Sequence, residues 1–236
     1  MDGTTRCEFC GEPLEPLTID LPGRPGMHVD WRPCGCDAAV AHRMAKMREA
    51  DERERAAAER RLDARLRRAG VPERYLHAEH DRAHALADAC MEGVGFYLDG
   101  TQGTGKTHLA AAVARILAAR GCSVEFRVAP ALMEQLRSRG AEDREATAAL
   151  ARCDLLVLDD LGKESPTAYA CERLFDVVNE RYNAMKPVVV TSNCTRGEIA
   201  RRLVEGDVGR SIASRLCEMT RRVHMDGDDR RVGNGC

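Results

Sequence analysis

One eight-residue stretch, Gly100-Thr101-Gln102-Gly103-Thr104-Gly105-Lys106-Thr107, constrains this chain more than any other part of it. A short apolar run over 94–99 leads into it, and an alanine-rich segment starting at Leu109 leads out. The order strand, glycine turn, helix is the context in which Gly-x4-Gly-Lys-Thr forms a phosphate cradle. Glycines let the backbone curl so that successive N–H groups point inward, and the new helix adds the positive end of its dipole. Lys106 can then reach the β- and γ-phosphates of a nucleotide, while Thr107 offers a hydroxyl to Mg²⁺. The lysine is informative in itself. The chain carries four lysines against 32 arginines, so a compact point charge stands here in a protein that elsewhere uses the planar fork.

Five apolar runs read as buried strands: 94–99, 123–128, 154–159, 188–192 and, with a weaker pattern, 222–225. Helical spacing fills the gaps, as over 109–120 and over 169–184, where Leu174, Phe175, Val178 and Tyr182 are expected to share one face. Strand and helix in alternation imply an α/β fold, a parallel sheet with helices on both faces. The third run ends in Asp159-Asp160, which puts two carboxylates at the strand edge where such sheets bind ligands. Asp159 is the candidate to hold Mg²⁺ and Asp160 to orient or deprotonate the attacking water, with Glu164 as an alternative. The fourth run ends in Asn193, which reads either as a helix cap or turn residue or as a group positioned beside the γ-phosphate.

Composition sets the remaining bounds. The net charge of −2 at pH 7 argues against a uniformly basic coat for nucleic acid. No stretch approaches the roughly 20 apolar residues of a membrane helix, and no export signal opens the sequence, so no membrane partner and a cytoplasmic location are expected. Eleven cysteines then read as thiols or metal ligands rather than disulfides. Four of them cluster as Cys7-x2-Cys10 and Cys34-x-Cys36, a set that would satisfy tetrahedral Zn²⁺. His28 and His42 are possible substitutes for one cysteine, and two unrelated thiol pairs are the plain alternative. Residues 37–69 have helix composition with alternating charge, stopped by Gly70 and Pro72.

With these residues in view, the chain resembles the DnaC/DnaI branch of AAA+ ATPases, the bacterial helicase loaders, and their IstB-type transposition relatives. The resemblance is carried by Gly100–Thr107 followed by His108, by Leu-Leu-Val-Leu-Asp-Asp-Leu-Gly at 155–162 and by Asn-Glu-Arg-Tyr at 179–182. Thr-Ser-Asn at 191–193, Ser-Arg-Leu at 214–216 and the opening segment 69–75 also match. It implies a P-loop AAA+ sheet of five parallel strands without a C-terminal lid, binding ATP through residues 100–108. Asn193 then looks like the sensor 1 residue, and Arg215 like an arginine finger acting on a neighbouring subunit's nucleotide in a homo-oligomer. Arg215 also reads as a surface arginine on an amphipathic helix, and Arg210 is an alternative finger. Arg231, in Gly227-x-Asp229-x-Arg231, is similar to a nucleotide sensor near the end of the family pattern. Asp160 stands where many AAA+ enzymes carry Glu, which suggests slow turnover.

The expected organisation is a zinc-binding segment over 1–42, a charged linker helix over 43–70 and an AAA+ ATPase domain over 71–236. The expected activity is Mg²⁺-dependent ATP hydrolysis coupled to loading a replicative helicase on single-stranded DNA. Arg137 and Arg139, on the helical segment after the second strand of the ATPase, are candidate DNA contacts, although each taken singly reads more readily as part of a solvated helix face. The alternatives are a transposition helper that presents target DNA to a transposase, and a nucleotide-dependent assembly scaffold.

Overall fold

The computed structural model describes residues 5–22, 24–137, 141–163, 167–203 and 207–227, with side chains at all of these except 141–144, 146 and 200. The chain divides into two compact units, Met1–Arg60 and Arg61–Cys236.

In the smaller unit, strands β1 (Pro16–Leu21) and β2 (Arg24–Trp31) form an antiparallel hairpin with Pro16 opposite Trp31 and Ile19 opposite Met27. The sequence reading assigns no strand here. Prolines and a glycine interrupt the stretch, and Leu17, Ile19, Leu21 and Val29 lie exposed instead of alternating into a core. Helix α1 (Asp37–Ala69), whose last nine residues belong to the larger unit, occupies the whole charged helix-forming stretch, with Asp37 in its first turn and Arg67 and Arg68 in its last, as the helix dipole favours. It ends where Gly70 adopts φ 93° and the N–H groups of Gly70 and Val71 donate back to the carbonyls of Arg67 and Leu66.

The larger unit is built on five parallel strands: β3 (Gly95–Asp99), β4 (Val124–Val128), β5 (Leu155–Asp159), β6 (Val188–Ser192) and β7 (Thr220–His224). Their order is β4-β5-β6-β3-β7. Strand β7 begins two residues before the expected 222. Thr220 and Arg221 pair with Gly95 and Phe96 along the sheet edge, and exposed arginines there carry no apolar signal. Side chains alternate between two cores. Phe96, Leu98, Leu155, Val157 and Val189 face helices α2 (Ala83–Met91) and α3 (Lys106–Ala119). Tyr97, Leu156, Leu158, Val188 and Val190 face α4 (Ala129–Gln135), α5 (Ala141–Arg152), α6 (Ala168–Asn183), α7 (Arg196–Leu203) and α8 (Asp207–Met219). Continuous apolar runs are what strands buried on both faces require. None of the described helices is long and apolar enough to cross a membrane.

On α6 the expected face is corrected. Leu174 and Val178 are buried, but Tyr182 is 37% exposed and Arg181, at 0%, takes the inward position. A guanidinium tolerates that place because carbonyls surround it. It donates to Leu150 at 2.8 Å, Cys153 at 2.9 Å and Pro187 at 2.7 Å.

Candidate functional site

In register, Asp99 at the end of β3 sits beside Ser192 at the end of β6, and Leu158 of β5 beside Val190. The loops leaving β3, β5 and β6 therefore emerge side by side at the C-terminal edge of the sheet, the usual ligand position in open α/β folds. Gly100 opens the first loop in a left-handed conformation at φ 140°, and a Cβ there would collide with the Met225 carbonyl. Gly105 closes the loop at φ 91° as the cap of α3. Between them Thr104 is buried and its hydroxyl donates to the Thr101 carbonyl at 3.0 Å. The Lys106 ammonium, 6% exposed, donates to the carbonyls of Gly100 at 2.9 Å and Thr101 at 2.6 Å.

The twin acids arrive from a strand about 50 residues away. Thr107 Oγ1 donates to Asp159 Oδ1 at 2.8 Å, which joins the two expected Mg²⁺ ligands directly. Burial pushes the Asp159 carboxyl above its usual range, opposed by the hydroxyls of Thr191 and Thr107. Asp160 has φ 60° and pairs with Lys163 at 2.9 Å. A pocket of about 450 Å³ gathers Gln102, Gly103, Gly105, Lys106, Thr107 and His108 with Asp160 and Asn193. Thus most sequence-selected residues converge here, Asn193 at an exposed position on the rim.

The pocket's further wall is formed by Arg74 and Tyr75, to which the sequence reading gives no role. The Arg74 guanidinium lies 5.0 Å from the Tyr75 ring centre, and Tyr75 meets the His108 ring edge-on at 6.1 Å. His108 Nε2 donates to the Glu79 carbonyl at 2.8 Å. Their signal was a basic-aromatic pair just beyond the end of α1.

Arg215 is not part of this pocket. It sits half-buried on α8, where Nε donates to Asn179 Oδ1 at 2.9 Å and the guanidinium lies 4.6 Å from the Phe175 ring centre. Arg210 pairs with Asp207 on its own helix at 2.5 Å. Arg137 lies in the turn after α4 rather than on a helix, paired with Glu134 at 2.7 Å. Arg139, Glu164 and Arg231 fall outside the described residues.

A second unforeseen group anchors the loop from below. Asp99 is 2% exposed and accepts from Arg222 Nε at 2.7 Å and His224 Nδ1 at 2.8 Å, while the Met225 N–H donates to its carbonyl at 2.8 Å. The Asp99 carboxylate chiefly raises the His224 pKa above the ordinary 6.5.

In the smaller unit, the Sγ atoms of Cys7, Cys10, Cys34 and Cys36 all lie within 4.8 Å of one another. Cys10 and Cys34 approach to 3.5 Å and Cys7 and Cys36 to 3.9 Å. A Zn–S bond of about 2.3 Å in a tetrahedron separates its sulfurs by about 3.8 Å, so this donor set fits the ion. The ring of His28 lies against Trp31 and that of His42 against Phe9, and neither belongs to the four-sulfur cluster.

Comparison with known proteins agrees with this geometry. An insertion-sequence ATP-binding protein of Mycobacterium tuberculosis is 30% identical over 145 residues, 59% of this chain and 56% of that one. The replicative helicase loader DnaC of Escherichia coli is 30% identical over 114 residues, 47% of this chain and 46% of its own length. The chain thus spans about half the length of these curated relatives. The crystal structure of DnaI superposes with a TM-score of 0.56 at 28% identity, covering 64% of this chain and 83% of that one. Residues 91–235 match the family model described as IstB-like ATP binding protein, and with its five-stranded P-loop sheet the chain belongs to that family of AAA+ proteins.

Proposed function

We propose that the protein binds and hydrolyses ATP with Mg²⁺ and uses that cycle to load a replicative helicase onto single-stranded DNA. The observation that carries the ATPase reading is the direct hydrogen bond between Thr107 and Asp159 beneath a pocket lined by Lys106, Asp160 and Asn193. In this reading the Gly100–Thr107 amides and the Lys106 ammonium hold the β- and γ-phosphates. Thr107 and Asp159 hold Mg²⁺, which when bound neutralises charge on the phosphate oxygens. Asp160 takes a proton from the attacking water, and Asn193 orients that water. Arg215 reaches the site of a neighbouring subunit, and Arg231 is a further nucleotide contact.

The helicase client rests on the names of the relatives, DnaC and DnaI, both helicase loaders. Zinc held by Cys7, Cys10, Cys34 and Cys36 would order the 1–42 segment, with 43–70 as linker helix and 71–236 as ATPase domain. Arg137 and Arg139 are the proposed phosphate contacts to DNA. The insertion-sequence relative supports a second reading, a helper that presents target DNA to a transposase.

The test combines binding, turnover and capture. At nucleotide about 100-fold above Kd, wild type gains about 2.7 kcal/mol, and Lys106→Ala loses that gain. Asp160→Asn keeps binding while turnover falls about 10²- to 10⁴-fold. Wild-type turnover in Asp160→Asn would remove the catalytic assignment. Capture of the replicative helicase in a nucleotide-dependent pull-down supports the first client, and capture of a transposase in its place supports the second.

A further inference from the structure

The end of β6 reaches the twin acids through a hydroxyl to which the catalytic reading gives no role. Thr191 is fully buried, at 0% exposure. The Asp160 N–H donates to Thr191 Oγ1 at 2.9 Å, and Oγ1 donates to Asp159 Oδ1 at 2.6 Å. A hydroxyl carries one proton and an amide N–H can only donate, so that proton is committed to the carboxylate. The bridge therefore has a direction: amide, hydroxyl, carboxylate. Thr107 Oγ1 donates to the same oxygen at 2.8 Å, which holds Oδ1 from two sides.

The turn after β5 is tied to β6 elsewhere as well. The Leu161 N–H donates to the Thr191 carbonyl at 2.9 Å, and Ser192 Oγ donates to the Leu161 carbonyl at 2.6 Å. The residue between the two anchors, Asp160, holds φ 60°, a region that non-glycine residues seldom occupy. Thr191 Oγ1 takes the N–H of that same residue.

We infer that Thr191 is a positioning residue: its hydroxyl sets the rotation of the Asp159 carboxylate and fixes the backbone turn that aims Asp160 into the pocket. The two acids and Asn193, the residue that follows the end of β6, thereby share one mount. This rests on the reading of Asp159 as a metal-holding group. Loss of a group that orients a metal ligand weakens metal binding by about 10- to 100-fold.

Thr191→Val keeps the branched shape and volume but removes both donor and acceptor, whereas Thr191→Ser retains them. The readout is Mn²⁺ binding to the ADP-loaded chain, followed by electron paramagnetic resonance, beside ADP affinity in chelator and the kcat and KM for ATP. Thr191→Val should weaken Mn²⁺ binding by about 10- to 100-fold and lower kcat, with ADP affinity in chelator and KM unchanged. Thr191→Ser should restore Mn²⁺ affinity. The inference is overturned if valine binds Mn²⁺ as wild type does, or if serine loses as much as valine. Asp159→Asn separates the two levels. Loss of Mn²⁺ in Asp159→Asn but not in Thr191→Val removes only the role of Thr191, whereas retention in Asp159→Asn removes the metal reading itself. Should the valine variant not fold, Thr191→Cys poses the same question, because a thiol is a weak donor and acceptor.

Discussion

Arg181→Met should be strongly destabilising although it lies outside the candidate site. The guanidinium is fully buried, with the Asp154 carboxylate near enough to favour its charged form, and it serves the last-turn carbonyls of α5 together with the strand starts that follow. Its bonds to Leu150, Cys153 and Pro187 measure 2.8, 2.9 and 2.7 Å. Lys186 donates to the neighbouring Arg152 carbonyl, so two cations close the negative end of α5. Hydrogen bonds to a charged group contribute about 1.5–3 kcal/mol each, so three such bonds give about 4.5–9 kcal/mol gross. Desolvation of the cation offsets several kcal/mol of that, and Nε has no partner among the described residues.

Methionine matches the stem but leaves the carbonyls unpaired, at about 1–3 kcal/mol each. The balance is a loss of about 3–5 kcal/mol, a midpoint drop of about 6–20 °C for a unit of this size. Arg181→Lys should fall between, because an ammonium cannot span both sides at once. The assay is urea and thermal unfolding of the full chain, with nucleotide binding as control. Arg181 touches Asp154 and Pro187, at the opposite ends of β5 and β6 from Asp159 and Asn193, so affinity should not change. A methionine variant within about 1 kcal/mol of wild type would show that desolvation cancels the hydrogen bonds.

Two further outcomes are expected. Freshly purified protein should carry about one zinc per chain, and a Cys7→Ser/Cys10→Ser variant none, with nucleotide binding by the larger unit intact; a metal-free wild type sinks the zinc reading. The His224 ring should titrate above 6.5 by NMR and return toward that value in Asp99→Asn. Since the folded value lies above the unfolded one, the Asp99–His224 contribution to stability is complete below about pH 6.5 and lost as pH rises through the folded value. A ring midpoint at or below 6.5 would refute the pairing.

The phosphate loop was legible because its geometry is local. Glycines at 100 and 105 permit left-handed turns over a few bonds, and the flanking strand and helix announce themselves by composition. Strands β3, β5 and β6 were legible for a related reason, since burial on both faces demands near-continuous apolar runs, whereas β4 shows itself by alternation, with Glu125 and Arg127 between Val124, Phe126 and Val128. The hairpin of β1 and β2 left no such pattern, and β7 was misplaced at its start because an edge strand can carry arginines.

From the chain alone came the cradle, the pair of acids after an apolar run, the four clustered thiols and the α/β class. Each depends on neighbours close in sequence or on a repeating burial pattern. Folding alone decided that Thr191 would bridge the two acids, that Asp99 would meet Arg222 and His224 more than 120 residues away, and that Arg181 instead of Tyr182 would turn inward. Those outcomes follow from strand order and register, which place groups distant along the chain within a hydrogen bond of one another, and no local preference encodes that distance.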